Sequence, residues 1–503
     1  MQIKKGILKH PFIIITALFF LSVLVRLPHI DRPLSKHHEL CTANAIRFIS
    51  FWDDNGSNPP ILGCNHTNKA DKFIKNYSSN IKDEYGNYYY ISFGPFAYLL
   101  PYTILKALSI KVSALALQIF NLIFHLISAI FIYKIISTLY NSSFKELFFP
   151  AFFSSVTYLF APGNLWFHCN IYVPEIFSQN LVIITSFYLL SYLQNSKERN
   201  WLFTCLIGFM IFIITYTDWI GIFMLVPLLI LYAKRKLDRK LIFTATTGSL
   251  LAIALILFQY SSIDGFDSLI NTMTGRYIER AGINSITNSP SSFFILSTKA
   301  IYTYITSYLT LILLGLVLVF LSVRWKTFKF SLNEKYATLL TVLPAFVYYF
   351  IFIDAAGHDY YSIKGAFFLS IIVGILIHKS SLFLGKKIKA FLLLSFLILS
   401  VSQYYYINRP GEYSYNGFRY DTYKKLGEFI GQNSTKDEVI IVKDLDCFPQ
   451  ILVYAKRNIL HYTNEKEIIQ YLKKHGHNKV VIFEVSDEYE IKILKRIDLE
   501  SSS

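Results

Sequence analysis

Charge is scarce in this chain: Asp, Glu, Lys and Arg make up 16% of its 503 residues, against 53% hydrophobic ones. That balance excludes a soluble globular protein, where about a quarter of the residues are charged. Acidic residues are the scarcer sign, 33 against 49 Lys and Arg, leaving a formal net charge of +16. Cysteine is sparse too. Cys41, Cys64, Cys169, Cys205 and Cys447 show no metal-ligand spacing, and their odd number leaves at least one outside any disulfide. Cys41 and Cys64 share one loop; a bridge in an oxidising compartment is one reading, two buried thiols the other. There is no internal repeat, and before the last hundred residues only 26–101 forms a large polar insert. A plain membrane bundle joins its helices in a few residues, so that insert is where chemistry is expected.

What the chain does have is apolar blocks of about twenty residues, the length that crosses a bilayer. Eleven spans are predicted, at 10–26, 113–138, 146–162, 172–193, 201–217, 219–233, 241–259, 297–322, 336–353, 366–378 and 388–405. The first follows Lys4, Lys5 and Lys9 but has no small-residue cleavage site and runs straight into Arg26. It is therefore read as a retained span, not a signal peptide. Counting from a cytoplasmic N-terminus, alternate loops collect Lys134 and Lys145, Lys197 and Arg199, a run from Lys234 to Lys240, Arg324 to Lys335, and Lys379 to Lys389. This is the positive-inside pattern, so the net charge is topological and calls for no nucleic acid. The stretch 93–108 carries Gly94, Pro95 and Pro101 and is read as a helix on the membrane surface, since a span there inverts every later loop.

Four segments then share the outer face: 27–112, 162–172, 260–296 and 354–365. The region from Asn408 joins them, with EVIIV and KVVIFEV flanking the helix-like NEKEIIQYLKKHG. The expected fold is mainly α, a polytopic membrane helix bundle (1–407) with a small C-terminal α/β domain (408–498). The patternless 499–503 is set aside as a cloning remnant.

Ionisable groups beside span ends are costly to bury and are the ones to weigh. The first outer loop supplies Arg26, Asp31, Arg32, His37, His38 and Glu39. TGRYIERAG in 260–296 puts Arg276 and Arg280 four residues apart, on one side of a helix. The 354–365 turn adds His358, Asp359 and Lys364. Two arginines, a lysine and a histidine near a carboxylate suit a lipid phosphate, which guanidinium binds bidentately and ammonium binds as a point charge. For Arg276, Arg280, His358 and Lys364 the alternative is an interface anchor or surface ion pair. Asp218, where two spans meet, and Glu175, at the start of another, are candidates to line an acceptor cavity, or are interfacial acids if the boundaries slip. Asp444-Leu445-Asp446 has the letters of a nucleotide-sugar metal motif but is remote from the membrane clusters. No cofactor is expected, a divalent metal being the alternative. The run Tyr88–Tyr90 is read as an interface anchor, not a sugar platform.

An N-terminal span ending in Arg26, an acidic motif soon after it, an aromatic return to the membrane at Ser92-Phe93-Gly94-Pro95-Phe96 and an outer C-terminal domain together resemble the GT-C superfamily. Within it they resemble the protein O-mannosyltransferase and aminoarabinose transferase branch. The resemblance implies a membrane glycosyltransferase moving a sugar from a polyprenyl-phosphate donor to a glycan, lipid or protein acceptor on the extracytoplasmic face. Direct displacement implies inversion at the anomeric carbon. The branch's Asp-Glu pair falls on His38-Glu39, so either Glu39 keeps the carboxylate role or His38 is the base, with Asp31 a further catalytic candidate. The branch's basic residue before proline is absent at Ser92 to Pro95, while His358 and Tyr360 in HDYY match a late His-x-Tyr. Arg276, Arg280, His358 and Lys364 are expected at the donor phosphate, and Asp218, Glu175 and Tyr360 at the acceptor. Alternatives are a ligase or phosphotransferase acting on lipid-linked glycans, or a transporter or flippase. The last is expected to show related halves and mid-membrane charges, and neither is visible. Usage rich in Lys, Ile, Asn and Tyr points to an AT-rich bacterial genome, hence a bacterial plasma membrane.

Overall fold

The first apolar block forms α1 (Pro11–Arg26) in the structure, a computed structural model of the chain that describes residues 11–36, 38–58, 60–66, 68–75, 81–140, 144–194, 200–381, 383–408, 418–443, 445, 448–461 and 464–499. Four of the sequence candidates, His37, Asp444, Asp446 and Cys447, lie outside the described residues. Pro28 turns the chain out of α1 through a 3-10 turn, Leu27–His29. The outer loop then folds as α2 (Leu40–Asn55), stopped by Gly56 at φ +84°, and a small sheet. Its strands β1 (Leu62–Gly63), β2 (Ile81–Lys82) and β3 (Tyr88–Tyr90) are antiparallel in the order β1-β3-β2. The tyrosine run is thus the central strand, with Tyr88 and Tyr89 buried, and not an interface anchor. The loop returns through α3 (Phe96–Ala107), whose 12 residues span about 18 Å, too short to cross a bilayer.

The bundle follows as α4 (Ala114–Leu139), α5 (Phe144–Phe160), α6 (Pro162–Asn170), α7 (Pro174–Gln194), α8 (Trp201–Thr215), α9 (Ile220–Phe223), α10 (Leu225–Ala233), α11 (Arg239–Arg280), α12 (Ile283–Asn288), α13 (Ser291–Arg324), α14 (Leu332–Ile351), α15 (Ile363–Ser380) and α16 (Lys386–Asn408). Side-chain caps set several starts. Ser113, Asn200 and Asp238 accept from backbone N–H groups of α4, α8 and α11, and Ser331 with Glu334 forms a capping box on α14.

Each of the eleven predicted spans falls on helix, but among the described residues seven stretches are long and apolar enough to cross a membrane: Pro11–His29, Ala114–Leu139, Pro174–Gln194, Arg239–Arg280, Ser291–Arg324, Asp359–Ser380 and Lys386–Tyr406. Phe148–Phe160, Trp201–Thr215 and Ile220–Ala233 are shorter apolar helices, and α14 is the eleventh. The chain is an integral membrane protein. The predicted 260–296 loop is a correction: α11, 42 residues long, continues into it as far as Arg280, bending at Asp264 and at Gly265, whose φ of +79° lets the helix axis turn. Small residues let the helices close up. A Cβ on Gly248 of α11 would sit 2.2 Å from the Gly208 carbonyl oxygen of α8, and Ser154 of α5 donates to the Ser370 carbonyl of α15 at 2.6 Å.

The C-terminal region forms α17 (Thr422–Gln432), β4 (Glu438–Lys443), α18 (Pro449–Ala455), β5 (Ile459–His461), α19 (Glu465–Lys474), β6 (Lys479–Val485) and β7 (Ile491–Asp498). The sheet order is β5-β4-β6-β7, with β4 parallel to both neighbours and β7 antiparallel at one edge. One sheet face is closed by the first outer loop: Ala70 and Ile74 pack in one core with Val439, Ile441, Leu472, Val480 and Ile482. Leu499, assigned from sequence to the patternless tail, is buried in that core. Polar contacts fix the same junction. Arg457 pairs with Asp71 at 3.1 Å, Gln450 donates to the Ser35 carbonyl at 2.7 Å, and the Leu34 N–H donates to the Tyr454 hydroxyl at 2.7 Å.

Candidate active site

The residues between α1 and α2 are held by an internal ion pair. Glu39 is 2% exposed; one carboxylate oxygen takes Arg32 and the other takes the Ser35 N–H. Arg32 in turn lies over the rings of Tyr420, at 4.0 Å, and Trp166, at 4.9 Å, so the pair ties the loop to α6 and to the C-terminal region. Glu39 is thereby committed to shaping the turn. That turn leaves His38 at φ +58°, a left-handed conformation that costs a non-glycine residue energy. Its Nε2 lies 3.0 Å from Asp359 Oδ1, and its ring meets the edges of Tyr360 at 5.1 Å and His358 at 5.8 Å. Asp31 stands apart: it is exposed, and its N–H donates to Gln118 on α4 at 3.2 Å.

The arginine pair sits on the last turns of α11, as its spacing predicts. Arg280 donates to the Tyr90 hydroxyl at 3.2 Å and lies 4.9 Å over Phe93; Arg276 lies 5.7 Å over Tyr90 and pairs with Glu279 at 3.1 Å. Both line a cavity of about 320 Å³ with Ile91, Ser92, Trp219 and Tyr277. The wall it shares with Ser92 depends on Gly94, where a Cβ would stand 2.0 Å from the Tyr216 carbonyl oxygen. Trp219 seals the same corner by donating to the Ser92 carbonyl at 2.9 Å. The Asp354 N–H donates to the Arg280 carbonyl at 3.1 Å, which joins the end of α11 to the turn that carries His358, Asp359 and Tyr360.

Lys364 stands at the start of α15. It is fully buried, bonded to Asp218, 3.8 Å from Glu175 and 4.2 Å from the Tyr348 ring centroid; Ser178 also donates to Asp218, at 3.0 Å. The structure thus joins Lys364, Asp218 and Glu175 into one buried cluster, and Lys364 and Arg280 share Glu175, Tyr348 and Tyr361 as neighbours. Cys41 marks how the groups converge. Burial pushes its thiol up, Glu175 and Asp359 push the same way, and Arg280 opposes them. Cys41 and Cys64 are not joined in a disulfide. Among the described residues no three His, Cys, Asp or Glu side chains gather as metal ligands, and the one acidic pair described above already holds Lys364.

Sequence reasoning passed over Tyr90, the hydrogen-bond partner of Arg280, and gave Asp359 no role of its own. The signal for Tyr90 is its place as last residue of an alternating strand opposite a helix; none exists for Asp359, 321 residues from His38.

No known family model matches the chain, and no curated protein sequence matches it. Solved structures do. The oligosaccharyltransferase of Archaeoglobus fulgidus in its apo form superposes with a TM-score of 0.59 at 14% identity over 95% of this chain and 70% of that one. The same archaeal enzyme, AglB, in complex with an inhibitory peptide and a dolichol-phosphate gives 0.53 at 10% identity, covering 96% and 75%. ArnT from Cupriavidus metallidurans bound to undecaprenyl phosphate gives 0.56 at 11% identity, covering 95% and 93%. At such identities what is shared is architecture: the chain has the GT-C fold of these membrane enzymes.

Proposed function

We propose that this protein is a membrane glycosyltransferase that moves a sugar from a polyprenyl-phosphate donor to a hydroxyl or amine of a glycan, lipid or protein acceptor. The reaction takes place on the extracytoplasmic face of a bacterial plasma membrane. The observation that carries this reading is the cavity lined by Arg276 and Arg280, which lies beside a turn bearing an imidazole, on a fold whose solved examples include lipid-phosphate complexes. A sugar on a phosphate already has a good leaving group, so the protein must deprotonate the acceptor and receive the departing charge. His38, the candidate base whose neighbour Glu39 is committed to Arg32, takes the acceptor proton. The acceptor atom forms its bond to the anomeric carbon as the bond to phosphate oxygen breaks, and the electron pair leaves with the phosphate. Arg276 and Arg280 hold that phosphate in a partly dehydrated cavity, where each charge contact is stronger than in water. The displacement inverts the anomeric carbon and uses no metal. Glu175, Asp218 and Tyr360 lie on the acceptor side, with Lys364 neutralising the acids.

The test is transfer of labelled sugar from a panel of polyprenyl-phosphate donors by the protein in nanodiscs. Wild type is expected to turn over at least one donor, and Arg276→Ala/Arg280→Ala to lose at least about 100-fold. If no donor turns over while liposomes holding the protein move lipid-linked sugar across the bilayer, the transferase reading falls to a transporter.

A further inference from the structure

We propose that Asp359 is the positioning residue of an imidazole base: the His38–Asp359 pair does here the work that a single carboxylate does in the branch this sequence resembles. The inference rests on the transferase reading.

Its basis is the convergence of two separately braced backbones on one ion-pair contact, His38 Nε2 to Asp359 Oδ1 at 3.0 Å. On one side, His38 is forced into a left-handed conformation by a turn clamped through Glu39, Arg32 and Ser35, and held by hydrogen bonds from His38 N–H to the Lys36 carbonyl, 2.8 Å, and from Cys41 N–H to the His38 carbonyl, 3.0 Å. Strain of that kind persists where surrounding contacts over-determine it, and it collects at functional sites. On the other side, Asp359 opens a 3-10 turn, Asp359–Ser362, that is pinned from three directions. The Ser362 hydroxyl donates to the Asp359 carbonyl at 2.5 Å, the Tyr349 hydroxyl donates to the Tyr361 carbonyl at 2.8 Å, and Thr303 donates to the Gly357 carbonyl at 3.2 Å. The 3.0 Å contact from Nε2 to Oδ1 is therefore a designed meeting, not a chance surface pair.

The chemistry follows from the tautomer. A carboxylate at Nε2 requires the proton there, which leaves the lone pair on Nδ1 to accept a proton from the acceptor. When Nδ1 takes it, the ring becomes imidazolium and Asp359 stabilises the new charge while remaining ionised. The other titratable groups against the ring are His358 and Tyr360 on the facing turn, with Asp354 and Lys299 of α13 beside His358; on its own loop the flanking Lys36 is turned to Phe418 and Tyr489, and Glu39 to Arg32.

The experiment compares kcat and KM against pH for wild type, Asp359→Asn, His38→Asp and the double variant, with an NMR titration of imidazole-labelled protein in nanodiscs. Asp359→Asn is expected to lower kcat about 100-fold with donor KM within about threefold. In the same variant the His38 ring should lose its preference for the Nε2–H tautomer. His38→Asp should retain part of the activity without an imidazole limb, and adding Asp359→Asn to it should cost no more. An equal loss from Asp359→Asn in both backgrounds or an unchanged tautomer overturns the proposal. If no donor turns over, the transferase reading fails on its own and the tautomer still decides the pair.

Discussion

Lys364 carries its charge in the middle of the protein, with Asp218 and Glu175 as its only described anionic neighbours. A buried ion pair adds little net stability, but removing one partner strands the other without water or counter-charge. Lys364→Met is therefore expected to cost about 3–5 kcal/mol, read as a fall in thermal unfolding temperature in detergent, and Lys364→Met/Asp218→Leu to recover part of the loss. Unchanged stability in the single variant would mean that the acids are relieved in some other way. The same residue shows where sequence stops being informative at this scale. Lys364 beside a span end reads as a phosphate ligand, and nothing local reveals an acid 146 positions away. Arg276 and Arg280 are the converse: their relation is a helical spacing, so it is written in the sequence itself.

Among the elements, α11 does two jobs, crossing the bundle and carrying the arginine pair on its last turns. Its seat against α8 is set by Gly208 and Gly248, whose backbones touch. Gly248→Leu is expected to wedge the helices apart at a cost of about 1–3 kcal/mol and to weaken donor use through displaced arginines. Gly275→Leu, on the same helix with open space around it, should do neither; KM for donor and thermal stability of both variants check this. The eleven helical segments were legible because apolar blocks of membrane length are an unambiguous pattern. The continuation of α11 past residue 260 was not, since the polar stretch after Gly265 carries the composition of a loop and the helix there is maintained by its docking to the 354 turn. The strands EVIIVK and KVVIFEV were legible as apolar runs, whereas β7, mostly exposed and rich in Lys and Arg, shows no run to read.

Over the whole molecule, the first outer loop and the C-terminal sheet share a core, and two ionisable groups at that junction answer acid in opposite ways. Burial, with Arg47 beside it, depresses His66 to about 3, so the folded state holds fewer protons than the unfolded between pH 3 and 6.5 and loses stability as pH falls through that window. Burial outweighs Arg457 and lifts Asp71 to about 6, so there the folded state holds more protons between pH 3.8 and 6 and gains stability as pH falls. The two slopes cancel between pH 6 and 4. Asp71→Asn is expected to make protection of β4 and β6 in hydrogen exchange fall more steeply than in wild type over that range, by about 1.4 kcal/mol per pH unit. A slope unchanged from wild type in the variant would refute the assignment. The shared core also imposes an order on synthesis. Asp71 emerges early and its partner Arg457 follows 386 residues later, about 20–80 s at ordinary translation speeds. Throughout that interval the loop bearing His38 lacks its apolar cover, and the turn is finished only when Tyr420, Gln450 and Tyr454 arrive. A ribosome that stops short therefore leaves a chain whose spans are inserted but whose first outer loop is uncovered.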